Sequence, residues 1–483
     1  METKSLINPC RPGESVLGMV GLGVMGRNLV LNMADHGFAV AGYDRDPAQV
    51  ALLAKDAGKR NIHSTGSLAD FMAQLSQPRA IMVLVPAGAP VDAVIKDLLP
   101  HLERGDLIMD AGNSHFTDTD GRATYLTARG IQFLGVGVSG GEAGARHGPS
   151  IMPGGPREAY ERVRPILEAV AANINGEPCV TWLGPGSAGH FVKMVHNGIE
   201  YGIMQLLAET YDLMKRGLGL NDDELVTVYR DWNQGELNGY LVEITSRIFA
   251  QPDEKTGRRL LDEVLGVARQ NGTGQWTSQS ALELQVPTPT IDLAVTLRDF
   301  SALAQEREQA AARYQRPIRP LNAPRETWPA QLGRALHAAI IITFAQGLAL
   351  LAAASSKYGY GLDLAAVARI WRGGCIIRAA VLDEISAAFC AQPELANLLL
   401  DARVADSLRE HQEDLRQVVC QAAIAGVPVP GLMVSLAYLD TLRSAWLPAN
   451  LIQAQRDYFG AHTYERIDMK GVFHTQWEAA PKS

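Results

Sequence analysis

Short apolar runs alternate with helical stretches in the first part of the chain. Residues 15–20, 38–43, 80–85, 107–110 and 131–134 are apolar enough and short enough to be buried strands. Between them lie polar-apolar stretches of helical period, the first following a glycine turn and running to about His36. Strand and helix in alternation predict an α/β domain whose parallel sheet is covered on both faces. It should occupy residues 1–187, with 1–14 as a loose extension. After Gly184-Pro-Gly186 the strand pattern stops. Long amphipathic helices then dominate, which predicts a large all-α domain over 188–445. The polar-aromatic stretch 446–483 reads as a tail.

Within the helical part, residues 335–354 are nearly all apolar and long enough to span a bilayer. The run carries His337, Thr343 and Gln346 and much alanine, which predicts a fully buried helix in a helical domain. A weak repeat appears at an offset of 141 residues: His196 matches His337, Ile199 matches Ile340, Gln205 matches Gln346, and Leu207-Ala208 matches Leu348-Ala349. Duplication is the favoured reading, against chance likeness of two Ala/Leu-rich helices.

Composition acts mainly by exclusion. The 483 residues suggest about three domains, or two large ones with extra pieces. A net charge of -8 gives no footprint for nucleic acid or an anionic membrane. The five cysteines, Cys10, Cys179, Cys375, Cys390 and Cys420, are scattered and form no CxxC pair. That pattern suggests neither a disulfide framework nor a metal site, and fits a reducing cytoplasm. No apolar signal core opens the chain.

Gly21-Leu22-Gly23-Val24-Met25-Gly26 follows a strand and opens a helix, the context in which GxGxxG indicates a Rossmann-like dinucleotide site. The first glycine permits the turn, the second lets a pyrophosphate approach, and the third allows close helix–strand packing. The phosphates would sit on the helix N-terminus. Asp44 closes the second strand, 18 residues after Gly26, where an acidic side chain would hold ribose hydroxyls.

Residues 188–201 read as a helix. Lys193, His196, Asn197, Glu200 and Tyr201 share one arc, and Phe191, Val192, Met194, Val195, Ile199 and Ile203 take the opposite side. One stripe therefore carries a base, an acid and several hydrogen-bonding groups, on which a sugar acid could lie. A solvated polar face with an incidental Lys/Glu pair is the bland alternative. In the second repeat Arg334 stands opposite Lys193 and Ile341 opposite Glu200, so only the first copy would carry the chemistry. Val138-Ser139-Gly140-Gly141 reads as a flexible loop able to offer N–H groups to a carboxylate, or as a plain turn. Arg456 and His462 in the tail could grip a phosphate, or form a surface basic pair.

Together these segments resemble the 6-phosphogluconate dehydrogenases over nearly the whole chain. The resemblance rests on GLGVMG at 21–26, DAGNS at 110–114, GVSGGEAGARHGPSIMPGG at 137–155 and GHFVKMVHNGIEYG at 189–202. WTSQSAL at 276–282 and NLIQAQRDYFGAHTYERID at 450–468 extend it. It implies a Rossmann-like domain, a large helical domain, and a tail that inserts into the other subunit of a homodimer. It implies oxidative decarboxylation of 6-phosphogluconate to ribulose 5-phosphate with reduction of NAD or NADP and no metal. Lys193 would be the general base and Glu200 the late acid. Asn113, Ser139, Gly140, Gly141, His196 and Asn197 would hold substrate, with Tyr201, Asn271, Arg298, Arg456 and His462 at its phosphate end. Gly21 to Gly26, Asp44, Arg45, Asp46, Val85, Pro86, Ala87 and Asn113 would line the cofactor.

The departures matter. Asn271 and Gln275 stand where the family has lysines, Gly23 where it often has alanine, and Pro86 where a lysine is common. Asp44-Arg45-Asp46 replaces the usual Asn-Arg-Ser/Thr, which favours NAD over the usual NADP. Two alternatives remain: a related 3-hydroxy acid dehydrogenase acting on an aldonate without phosphate, motivated by Asn271, and a non-catalytic dinucleotide-binding regulator.

Overall fold

A computed structural model describes residues 14–477, so the expected extension at 1–14 and Cys10 lie essentially outside the described residues. The chain divides into two compact units, Met1–Ser435 and Leu436–Ser483. The first unit opens with β1 (Leu17–Val20), α1 (Val24–Asp35), β2 (Val40–Tyr43), α2 (Pro47–Ala57), β3 (Ile62–Thr65), α3 (Leu68–Ala73), β4 (Ala80–Val83), α4 (Ala89–Leu98) and β5 (Leu107–Asp110). Then come α5 (Phe116–Thr127), β6 (Gln132–Ser139), α6 (Gly141–His147), β7 (Ser150–Gly154), α7 (Arg157–Val170) and a small β8–β9 hairpin (Asn173–Ile174, Glu177–Pro178).

The sheet order is β3-β2-β1-β4-β5-β6-β7. All pairs are parallel except β6 with β7, which run antiparallel. The sheet is therefore mixed, where the alternation predicted a parallel one. Two strands lacked a signal: β3 is the half-buried, largely polar IHST, and β7 carries Pro153 and Gly154. β6 also reaches Ser139, so Val138 and Ser139 end a strand instead of forming a loop. Each face has its own apolar core: Leu17, Met19, Leu29 and Met109 on one side, Phe71, Ile81, Ile95 and Phe133 on the other. Parallel strands bring their C-terminal ends to one edge. Gly21, Asp44, Val85, Asn113 and the end of β6 are thereby gathered there.

Helices follow: α8 (Ala188–Asp212), α9 (Asp222–Trp232), α10 (Tyr240–Ala250), α11 (Leu260–Glu263), α12 (Thr273–Glu283), α13 (Pro289–Ala302) and α14 (Ala304–Tyr314). Next are α15 (Trp328–Tyr358), α16 (Leu364–Ile370), α17 (Val381–Ala391), α18 (Ala402–Ala425) and α19 (Pro430–Leu442). α15 contains the apolar run and is long enough to cross a membrane, but 78% of its most apolar window is buried inside the protein. The two segments related by the 141-residue offset lie on α8 and α15, which pack together. They approach closely: a Cβ on Gly347 would stand 2.5 Å from Ile199 side-chain carbons, and one on Gly202 would stand 2.6 Å from Thr343 Cγ2.

The second unit holds α20 (Ala449–Gly460) and a β10–β11 hairpin (Tyr464–Glu465, Val472–Phe473). Its organiser is Asp457, which is fully buried. Its carboxylate accepts hydrogen bonds from the backbone N–H groups of Thr463 and Thr475 and from Trp477 Nε1, and pairs with His474 Nδ1. Burial alone would raise this carboxyl's pKa. The donors, led by the Thr475 N–H and His474, outweigh it and hold the value at about 2.

Candidate functional site

The glycine loop has the geometry its spacing predicts. Gly21 has φ +97°, and a Cβ there would lie 2.4 Å from the Leu84 carbonyl oxygen. On Gly26 it would lie 1.9 Å from the carbonyl oxygen of Gly21, so α1 can start against the loop only without a side chain. A Cβ on Gly23 would meet nothing within 4 Å, because that residue faces open space. The space is a cleft of about 750 Å³ lined by Gly23, Met25, Val85–Ala87, Asn113, Asn271 and Trp276 among others. Its size suits a dinucleotide together with part of a substrate. A smaller hollow of about 220 Å³ adjoins Gly21, Tyr43, Asp44, Arg45, Pro86 and Asp97. The residues present thus fit a nicotinamide dinucleotide.

At the end of β2, Asp44 Oδ2 accepts the N–H of Leu22 at 2.7 Å, and Oδ1 accepts that of Asp46 at 2.9 Å. Asp46 caps α2 by accepting the Ala48 N–H at 2.9 Å, a local role that the sequence left unassigned. Arg45 is ion-paired with Asp97 on α4. Asp97 gave no signal in the sequence, since it lies far along the chain in an ordinary amphipathic helix.

Asn113 follows β5 in a turn held by the buried Asp110. That carboxylate accepts the Gly112 N–H at 3.1 Å, the Ser114 hydroxyl at 2.6 Å and Arg122 Nη1 at 3.2 Å. Beyond it, the His115 ring meets Trp276 edge-on at 4.9 Å, joining this turn to α12 across the cleft.

The polar stripe of α8 is not solvated. α8 packs against β6, β7, α12, α13 and α15, and Lys193, His196, Asn197 and Tyr201 are all buried. A Cβ on Gly137 of β6 would lie 2.4 Å from Lys193 Cβ, so that strand packs directly against the stem of the lysine. Burial lowers the Lys193 pKa, opposed by the charges of Glu200 and, more weakly, Cys375. Burial raises that of Glu200, opposed by Lys193 and Arg298. The pair is thereby poised with a lysine easier to deprotonate and a carboxyl easier to protonate than in water.

His196 bridges the stripe to β6. Its Nε2 lies 3.2 Å from the Ser139 hydroxyl, and its Nδ1 lies 3.1 Å from Asn197 Oδ1 and 3.9 Å from Glu200 Oε2. Two oxygens facing Nδ1 fit a proton there, which leaves Nε2 to accept the Ser139 O–H. Burial, then the charge of Lys193, depresses the His196 pKa well below its ordinary value, so the ring is neutral. The Trp371 ring meets His196 edge-on, with ring centres 5.7 Å apart. Nearby Cys375 donates its thiol to the Trp371 carbonyl at 3.0 Å, and burial pushes that thiol up to about 12. Gly140 and Gly141 follow, at φ +120° and +61°, at the start of α6.

At the far end of the stripe, the Arg298 guanidinium lies 3.3 Å from the Tyr201 ring centre. α12 docks there: the Thr277 hydroxyl is 2.9 Å from the Met194 carbonyl, and a Cβ on Gly274 would stand 2.4 Å from the Tyr201 ring. Asn271 is exposed on the cleft wall shared with the glycine loop. Of the sequence-selected residues, Gly23 to Gly26, Val85 to Ala87, Asn113 and Asn271 line the large cleft, Gly21, Asp44 and Arg45 line the smaller hollow, and Lys193, His196, Asn197 and Tyr201 are buried on α8. Arg456 and His462 belong to the second unit. Both are exposed; Arg456 Nη1 donates to Gln453 at 3.1 Å, and His462 stands edge-on to Phe459. Trp371, Cys375, Thr277 and Asp97 were missed, because only tertiary packing brings them to the site.

Two family models match: "NAD binding domain of 6-phosphogluconate dehydrogenase" over residues 16–184 and "6-phosphogluconate dehydrogenase, C-terminal domain" over 189–477. The chain is 50% identical over 462 residues to the NADP(+)-dependent, decarboxylating 6-phosphogluconate dehydrogenase of Bacillus subtilis, covering 95% of this chain and 98% of that one. It is 47% identical, again over 462 residues, to the NAD(+)-dependent enzyme of the same organism, covering 95% of this chain and 99% of the relative. The 6-phosphogluconate dehydrogenase of Plasmodium falciparum, solved in its apo form and in complexes with NADP+ and with 6-phosphogluconate, superposes with a TM-score of 0.92 at 40% identity. It covers 96% of this chain and 100% of that one.

Proposed function

The chain belongs to the decarboxylating 6-phosphogluconate dehydrogenase family, and on that premise we propose how its residues divide the work of oxidising and decarboxylating 6-phosphogluconate. The reaction yields ribulose 5-phosphate, carbon dioxide and a reduced nicotinamide dinucleotide. The carrying observation is Lys193, a buried lysine whose pKa burial lowers, on one helix with Glu200, whose pKa burial raises.

Neutral Lys193 removes the proton of the substrate C3 hydroxyl. The bound dinucleotide supplies the acceptor for the C3 hydride. Protonated Lys193 then faces the new C3 carbonyl and draws electron density toward it while the C1 carboxylate leaves as carbon dioxide. Glu200, whose pKa burial raises, delivers a proton to C1 of the remaining enediol. Ser139, Gly140, Gly141, Asn113, His196 and Asn197 orient the carboxylate and hydroxyls. The neutral His196 keeps a second positive charge away from Lys193.

Tyr201, Arg298 and Asn271 take the phosphate end. In this reading the protein is a homodimer whose tails exchange, so that Arg456 and His462 serve the partner's site. Support comes from their exposure and from the small size of their unit. NAD is used at least as well as NADP. Asp44 at the ribose end, Arg45 occupied by Asp97, and Pro86 in place of a lysine support that preference. A cytoplasmic location is supported by the unpaired Cys179, Cys375, Cys390 and Cys420.

One assay tests the reading: purified protein with 6-phosphogluconate or gluconate, each with NAD and NADP, following reduced nicotinamide and carbon dioxide. Equal yields of both products from 6-phosphogluconate alone are expected. Turnover of gluconate at a comparable kcat/KM would favour the non-phosphorylated substrate that Asn271 raises.

A further inference from the structure

Three residues that no sequence spacing links meet behind the catalytic helix. His337 lies on α15, His411 on α18, and Glu236 in the turn between α9 and α10. Among the described residues they form a group whose ligand atoms, one from each, all lie within 4.8 Å of one another. Both imidazoles are buried, and their Nδ1 atoms face each other at 3.3 Å. Glu236 Oε2 stands 3.8 Å from His411 Nε2, the ring nitrogen turned away from His337, so its 64% exposed side chain would have to swing inward to reach an ion held on the two Nδ1 atoms. A cavity of about 20 Å³ adjoins His337 and Glu236, enough for one water molecule.

We propose that His337, His411 and Glu236 bind one divalent transition-metal ion of the zinc class, with a water from the adjoining cavity as fourth ligand. Two nitrogens on one tetrahedral ion, each about 2.0–2.1 Å from it, stand roughly 3.3–3.4 Å apart. The observed 3.3 Å matches that spacing and is long for a well-formed hydrogen bond between the rings. The donor set is borderline-soft nitrogen with one carboxylate, which selects zinc, cobalt or nickel over calcium or magnesium. Charge points the same way. Arg334 is already paired with Asp414 and Arg378 with Glu243, so neither arginine is dedicated to Glu236. A bound ion would pin α15 to α18 and to the α9–α10 turn. Because α15 packs on α8, that brace lies behind the catalytic helix without touching Lys193 or Glu200.

The test uses tag-free, full-length protein stripped of metal, titrated with Zn2+ by calorimetry and with Co2+ by visible absorption. One ion per chain is expected, with Co2+ giving d–d bands of tetrahedral intensity and Zn2+ raising Tm. Glu236→Gln, a surface change that should not impair folding, should weaken Zn2+ binding at least tenfold. His411→Ala should abolish both the site and the cobalt spectrum. No stoichiometric binding, or binding that neither substitution weakens, overturns the proposal. If His411→Ala does not fold, the Glu236→Gln titration and the cobalt spectrum still decide it.

Discussion

The Leu22 N–H donates to the Asp44 carboxylate at 2.7 Å, which fixes a negative charge from the end of β2 against the glycine loop. A ribose 2′-phosphate arriving there would meet that charge, and Arg45 could answer it only by leaving Asp97. Both Asp44→Asn and Asp97→Asn should therefore shift the kcat/KM ratio toward NADP. A change on the order of tenfold, or about 1.4 kcal/mol, is expected from each. Calorimetric Kd values for the two dinucleotides should move in parallel. If neither variant changes the ratio, cofactor choice lies elsewhere in the cleft.

The pH profile follows from the Lys193–Glu200 pair. The base works only when unprotonated, so kcat/KM should rise with pH through the Lys193 pKa, which burial places below the ordinary lysine value of 10.5. The Glu200 charge opposes that lowering. Removing it in Glu200→Gln should move the acidic limb to lower pH, while late protonation slows more than hydride transfer. A limb that stays put or moves upward would separate the two groups electrostatically.

Asn271 lies on the cleft wall where the family resemblance calls for a lysine. Losing one charge-assisted contact to phosphate costs about 1.5–3 kcal/mol when nothing compensates. Asn271→Lys should accordingly lower the KM for 6-phosphogluconate tenfold or more, with little change for gluconate. An unchanged KM would mean that another cation, such as the exposed Arg269, already fills the role.

Much of this was legible along the chain, and the exceptions share a cause. The glycine loop and the strands β1, β2, β4 and β5 announce themselves through local pattern. So does the helix carrying Lys193, because its residue types recur at helical spacing. By contrast, β3 is too polar, and β7 contains Pro153, so neither looked like a strand. The burial of Lys193, His196, Asn197 and Tyr201 on α8 was also invisible. A polar stripe ordinarily faces water; here β6 lies against Lys193 at Gly137 and the Trp371 ring meets His196 edge-on. Asp97 and His411 lacked any local signal, since each takes its meaning from a partner elsewhere in the chain.

If the tails exchange in a homodimer as proposed, deleting residues 447–483 should remove activity and weaken self-association in sedimentation measurements. A truncated chain that is monomeric and fully active would contradict the exchange. The tail also has its own acid sensitivity. Its Asp457 carboxyl is held at about 2 in the folded state against an ordinary 3.8, so its stabilising effect is complete above about pH 4. It is lost as pH falls toward 2. Trp477, which donates to that carboxylate, should report the loss by fluorescence, and Asp457→Asn should abolish the transition.

The most direct test of the account is Lys193→Met, measured for dinucleotide binding and for turnover of 6-phosphogluconate. Methionine keeps the length and apolar stem and removes only the group that exchanges protons. The glycine loop does not depend on that group. Dinucleotide Kd should therefore stay within twofold of wild type, while kcat falls by at least 10²-fold, the lower range for a positioned acid–base group. Retention of more than about a tenth of wild-type turnover would contradict the assignment of Lys193 as the base.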